Sequence, residues 1–250
     1  MRAFFPAFPQ ADLDRHRREI DEAICRTLAS GRFILSEEVS AFEEEFAKYL
    51  GVPHVVALGS GTDAVEIMLR AHDIGTGAQV VLPSHAPSAI ASAVRRSGAD
   101  ILLADVDPAT MTLCPNSLAS VLSMPTSKRA RAVVAVHLYG HPVAWDALQK
   151  VATEFGVLLL EDAAQAHGAE WSGQKIGSLG KAAAFSFYPT KNLAAMGDAG
   201  ALATSDGALA ERVRELREYG WRQRYISANN GVNSRMDELQ AAILRVKLRG

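Results

Sequence analysis

From residue 55 to residue 162 the sequence returns again and again to one pattern: a short apolar run, a turn, then a longer amphipathic stretch. The runs are VVAL (55–58), QVVLP (79–83), DILLADV (100–106), AVVAV (132–136) and VLLLED (157–162). Each is strand-length and nearly continuous in apolar character, so each reads as a strand buried on both faces. The stretches between them read as helices, ending at 71 and covering 87–97, 116–123 and 145–155. In the last of these, Leu148, Val151, Ala152 and Phe155 share one face. Strands alternating with helices predict an α/β fold, a mostly parallel central sheet with helices on both faces. Two further strands, 182–187 and 199–204, flank a loop that carries Lys191.

A sheet of this kind binds ligands outside the carboxyl ends of its strands. The candidate chemical residues converge there: Gly59 to Thr62, Pro83 to His85, Asp162 with Gln165, and Ser186 to Lys191. Helices are expected at both flanks of the chain. One covers 11–29, and Ser36 can cap a second that aligns Val39, Phe42, Phe46 and Leu50. Ser205 can cap a helix with Leu209, Val213, Leu216 and Tyr219 on its apolar side. Ser234 with Asp237 resembles a capping box opening a last helix, where Met236, Leu239, Ile243 and Val246 form a face that needs a partner.

Composition narrows the function classes. A net charge of −2 over 250 residues gives no electrostatic case for nucleic acid or an anionic membrane. Cys25 and Cys114 form no CxxC pair, which fits a reducing, cytoplasmic setting and neither a zinc site nor a disulfide framework. No apolar run reaches the ~20 residues of a transmembrane helix. Pro6 and Pro9 break the N-terminal apolar patch, which is no signal peptide.

Three constellations carry chemistry, each with a plainer alternative. Lys191 lies between apolar runs, after Tyr188-Pro189-Thr190 and before Gly197 and Gly200. A lysine in such surroundings can lose its proton and attack an aldehyde, although a loop lysine is more often a solvated charge. The turn Gly59-Ser-Gly-Thr-Asp-Ala64 follows a strand and opens a helix, so its N–H groups and hydroxyls can cradle a phosphate. It also matches a GxGxxA dinucleotide fingerprint, or a simple tight turn. Against the fingerprint, no acid follows the next strand, and Asp63 would sit close to a pyrophosphate. Glu161-Asp162 puts carboxylates at a strand end, either facing a cationic ring nitrogen or capping a turn. His137 and His141, four apart in a loop, make a poor metal site, and no metal is expected.

These residues also point to a family. GRFILSEEVSAFEEEFAKYLGV, SGTDAVEIMLRA, VHLYGHP, LEDAAQAHGAEWSGQKIGSLGKAAAFSFYPTKNL, GDAGALAT and GVNSRMDELQAAILRVKL occur in this order over nearly the whole chain. They resemble the DegT/DnrJ/EryC1/StrS sugar aminotransferases, pyridoxal 5′-phosphate (PLP) enzymes of the aspartate-aminotransferase fold. FSFYPTKNL and EDAAQAHGA carry the most specificity. The resemblance implies that Lys191 holds the cofactor covalently and later shuttles a proton, and that Asp162 pairs with the pyridine nitrogen. Gln165 would lie near the ring and its phenolic oxygen. Gly61, Thr62 and Ser186 would bind the phosphate, joined by Asn233 from a partner subunit in a homodimer. The implied reaction passes an amino group from an amino acid, commonly glutamate, to a nucleotide-linked keto-deoxysugar.

Two departures stand out. Ala86 and Pro87 occupy positions where many members carry Thr and an aromatic that stacks on the cofactor. The sequence also stops at Gly250 inside what reads as a helix, without the family's smaller C-terminal domain. The expected organisation is a helical segment at 1–30 and a PLP-binding large domain at 31–250. A shortened, non-catalytic relative is one rival reading, and a nucleotide-dependent oxidoreductase built on the Gly59 turn is another.

Overall fold

The computed structural model describes residues 9–249; the apolar patch around Pro6 lies outside them. Helices α1 (Pro9–Ser30) and α2 (Glu37–Leu50) lead into β1 (His54–Leu58), α3 (Gly61–Ala71), β2 (Gln79–Pro83), α4 (Ser88–Ser97) and β3 (Asp100–Ala104). Then come α5 (Pro115–Leu122), β4 (Ala130–Val136), α6 (Trp145–Phe155) and β5 (Leu158–Asp162). A small hairpin, β6 (Glu170–Trp171) with β7 (Gln174–Lys175), precedes β8 (Ala182–Ser186) and β9 (Gly200–Thr204). Helix α7 (Gly207–Arg217), a second hairpin of β10 (Trp221–Gln223) and β11 (Ile226–Ser227), and α8 (Glu238–Leu248) complete the described chain.

Seven strands form one sheet in the order β1-β9-β8-β5-β4-β2-β3. The pairings from β3 across to β8 are parallel, and β9 runs antiparallel to both β8 and β1. The mostly parallel sheet expected from the apolar runs is therefore present. The dinucleotide reading of the Gly59 turn does not fit it. β1 is an edge strand paired only to an antiparallel neighbour, whereas that fingerprint sits in a parallel βαβ unit.

Strand residues alternate between two cores. Val56, Leu58, Val80, Leu82, Val134, Leu160 and Leu202 meet α3, α4 and α7 on one face. On the other, Val55, Ala57, Phe185 and Ala201 meet α2 and α8, while Val81, Val133 and Leu159 meet α5 and α6. Alanine and glycine in β8 and β9 let helix α3 approach closely. A Cβ on Gly200 would lie 2.3 Å from the Ser60 carbonyl carbon.

The helix caps differ from expectation. Ser36 stands at the N-cap of α2, but its hydroxyl makes no cap bond. The Glu238 carboxylate does that work from the far end of the chain, accepting the Ser36, Glu38 and Val39 N–H groups at 2.6, 2.8 and 3.1 Å. Asp206, not Ser205, caps α7. Ser234 forms no capping box: its hydroxyl accepts the Gly59 N–H at 3.0 Å and donates to Asp63 Oδ2 at 2.8 Å. Tyr219 lies beyond the end of α7, at φ 60°, rather than on its apolar side. Of the expected face of the last helix, Ile243 and Val246 pack with Ala242 on Ile20 and Ala23 of α1, and Met236 joins the core beneath α2, so these three have partners within the chain.

Candidate active site

Strands β4, β5 and β8 are parallel neighbours, and β1 shares their sense because it and β8 both run antiparallel to β9. Their carboxyl ends therefore open on one side of the sheet. A cavity of about 280 Å³ lies there, lined among others by Gly61, Thr62, Asp162, Gln165, Ser186 and Lys191. Those are six of the seven site residues expected from sequence. The seventh, Asn233, is exposed, does not line this cavity, and bridges Glu218 through the main chain.

One end of the cavity is the N-terminus of α3. Ser60 caps the helix, accepting the Asp63 N–H at 3.1 Å. The Gly61 and Thr62 N–H groups belong to the first turn, which has no intrahelical acceptors, so this end suits an anion. A Cβ on Gly61 would stand 2.5 Å from Ser186 Cβ, so glycine is what brings the Ser186 hydroxyl beside those N–H groups. Asp63 is no obstacle to an anion. Arg96 binds its Oδ1 at 2.9 Å and Ser234 its Oδ2, drawing the carboxylate aside.

At the other end, Asp162 closes β5 and is 5% exposed. Its Oδ1 accepts the Ala164 N–H at 2.9 Å, and no arginine or lysine forms an ion pair with it among the described residues. Burial pushes its carboxyl above the usual aspartate range, against the pull of the Ala164 N–H and the charges of His137 and Lys191. Its neighbour Glu161 points to the opposite face. Glu161 is fully buried and accepts three main-chain N–H groups, from Gly177, Leu179 and Gly180, with His137 Nε2 at 3.4 Å. His137 Nδ1 accepts the Val143 N–H, while His141 is exposed, so the two histidines share no site.

Lys191 lines the same cavity. Its N–H donates to the Tyr188 carbonyl at 2.8 Å, closing a tight turn after β8. The base of the loop is tied by Ala195 N–H to Phe187 O and Phe187 N–H to Ala199 O. Gln165 forms the third wall, with its Oε1 accepting the Tyr139 N–H at 2.7 Å. That bond occupies the amide oxygen, and its NH₂ remains a donor. Pro87, Ala89 and Ile90 make an aliphatic wall.

Sequence reasoning missed two of these parts. Asp198 lines the cavity beside Lys191, and its only cue was the glycine on either side of the Asp-Ala pair. The Tyr139 clamp on Gln165 had one cue, the glycine after Tyr139 in VHLYGH. His167 lies behind the site, its ring against Phe185 and Phe187 at 5.5 and 5.6 Å. Burial, with the nearby Lys191 charge, pushes it down to about 4, so it is neutral at neutral pH.

The arrangement suits a ligand with an anionic end at α3, a cationic end at Asp162, and a carbon open to the Lys191 amine between them. Sequence comparison matches residues 14–250 to the DegT/DnrJ/EryC1/StrS aminotransferase family. The dTDP-3-amino-3,4,6-trideoxy-alpha-D-glucose transaminase of Streptomyces venezuelae is 45% identical over 251 residues, covering 99% of this chain and 65% of that protein. Among solved structures, S. venezuelae DesV in complex with a ketimine intermediate superimposes with a TM-score of 0.92 at 46% identity, over 97% of this chain and 64% of that one. The ntda protein of Bacillus subtilis with bound cofactor PMP gives 0.87 at 28% identity, over 99% and 57%. The chain thus spans less than two thirds of the length of these relatives.

Proposed function

The chain belongs to the DegT/DnrJ/EryC1/StrS aminotransferase family, and from that premise we propose that its cavity holds PLP and serves a sugar-nucleotide transamination. The amino group passes from an amino acid, glutamate as the first candidate, to a nucleotide-linked keto-deoxysugar. One observation carries the reading: a buried carboxylate with no ion pair among the described residues shares a cavity with a lysine and a helix N-terminus. PLP meets each need, with its pyridinium for Asp162, its aldehyde for Lys191 and its phosphate for the helix.

When bound, PLP supplies an electron sink for the carbanion formed beside the transferred nitrogen. The residues of the chain do the rest. Lys191 would hold the group covalently through its amine and, when free of it, would carry the proton between carbon atoms. Asp162 keeps a proton on the ring nitrogen, because opposite charges stabilise each other's ionised forms. Gln165 donates an amide N–H toward the ring's phenolic oxygen. The Gly61 and Thr62 N–H groups, with the Thr62 and Ser186 hydroxyls, hold the phosphate. Aliphatic contact from Pro87 and Ile90 replaces aromatic stacking on the ring.

Asn233 belongs to the same proposal. It is exposed and stands outside its own cavity, which supports its delivery to the phosphate site of a partner in a homodimer with shared sites. No helix among the described residues is long and apolar enough to cross a membrane. Nucleotide-sugar substrates favour a cytoplasmic setting.

Adding glutamate to the PLP-loaded protein should bleach its visible absorption, and a keto sugar nucleotide should then restore it. A yellow protein that glutamate leaves unchanged would mean binding without turnover, and the non-catalytic reading would replace this one.

A further inference from the structure

Seven non-glycine residues among those described have a positive φ, and Tyr139 alone of them is bonded through its main chain to a cavity-lining side chain, that of Gln165. Its φ of 55° and ψ of 19° lie in the left-handed region. That conformation costs a side chain with a Cβ about 1–2 kcal/mol and glycine almost nothing. A buried tyrosine could recover this through packing, but Tyr139 is 76% exposed. Its bond to Gln165 uses an N–H that almost any residue supplies. No buried packing or side-chain hydrogen bond among the described residues therefore accounts for tyrosine at this position.

The nearest ring is that of His85, exposed after β2, with centroids 6.3 Å apart and planes inclined at 59°. The two rings stand together at the strand ends, beside the Gln165 wall. We propose that Tyr139, with His85 beside it, determines specificity for the acceptor by stacking on the C–H face of its sugar ring at the cavity mouth. This rests on the sugar-nucleotide reading above. The sugar is favoured over the base because Gln165 lines the same cavity as Lys191 and Asp162. A residue whose main chain is bonded to that wall stands nearer the group being transformed than the base, which is set apart by the sugar and the diphosphate. A phenol combines an apolar face for C–H groups with a hydroxyl that stays in water.

The test uses the PLP-loaded protein at its full natural length, with Tyr139→Asn and Tyr139→Phe, and reads melting temperature and calorimetric binding of dTDP-glucose and dTDP. Asparagine keeps the N–H and tolerates the left-handed region, so Tyr139→Asn should melt about 2–4 °C higher. It should bind dTDP-glucose about tenfold more weakly, with a smaller loss for dTDP. Tyr139→Phe should stay within about threefold of the parent for both ligands. Equal losses for the two ligands would assign the ring to the nucleotide and overturn the proposal. So would unchanged dTDP-glucose binding in Tyr139→Asn, a lower melting temperature, or a loss that merely tracks dissociation in sedimentation. A parent that binds neither ligand would sink the sugar-nucleotide reading itself, and this inference with it.

Discussion

The clamp formed by α1, α2 and α8 buries carboxylates, and so does the cavity at the strand ends, with opposite consequences. In the clamp, Glu238 is 2% exposed and accepts three main-chain N–H groups. Glu38 beside it is 8% exposed. Burial pushes the Glu38 carboxyl up, but Arg26 at 2.8 Å and Arg245 at 2.6 Å outweigh that and hold it below the usual glutamate range. In the cavity, Asp162 is buried as deeply, accepts one N–H, and ends above its usual range. Glu161, one residue earlier, behaves like the clamp, with three N–H donors. A carboxylate satisfied by its own chain is structural. One left short is set for a partner that the chain does not contain.

Replacing the two kinds of carboxylate should therefore give opposite results. Asp162 has a folded-state value raised above its unfolded one, so its contribution to stability is full below the unfolded value and is lost as pH rises through the raised one. Above the raised value the cofactor-free protein carries that loss, and Asp162→Asn removes it. The cofactor-free variant should gain on the parent in melting temperature as pH rises through that value, with the gap closing in acid. The PLP-loaded variant should transaminate about a hundredfold more slowly, on the order of 3 kcal/mol in the barrier. Melting curves with and without PLP, beside single-turnover rates with glutamate, check both halves. A cofactor-free variant less stable than the parent would erase the contrast.

Glu238→Ala should act in the other direction. It strands three N–H groups at the start of α2, and a loss of about 2 kcal/mol, roughly 4–8 °C in melting temperature, follows. The glutamate half-reaction should keep its rate, because Glu238 does not line the cavity. Slower chemistry at unchanged stability would show that clamp and cavity are not separate in the way their hydrogen bonding indicates.

The same contrast explains what could be read from sequence. Most of the cavity was legible because the residues expected there follow strand ends, and continuous apolar runs such as QVVLP and VLLLED mark those ends. The clamp was not. Ser36 has the sequence signature of a cap, but the acceptor is a carboxylate 202 positions away, and no local pattern encodes that distance. Ser234 was misread for the same reason, since its partners Gly59 and Asp63 meet it only in the folded chain. The β10–β11 hairpin escaped notice because Trp221–Gln223 and Ile226–Ser227 are too short for a period to show. Asn233 was named as a site residue, yet a single chain does not bring it to its own cavity. The family resemblance, rather than any spacing, suggested it.

The central claim is that Lys191 is the attachment point around which the cavity is built. Borohydride reduction of the PLP-loaded protein, followed by proteolysis and mass spectrometry, tests it directly. The account predicts a pyridoxyl group on the peptide that carries Lys191, and neither the label nor the visible colour surviving dialysis in Lys191→Ala. A label on any other lysine would contradict it.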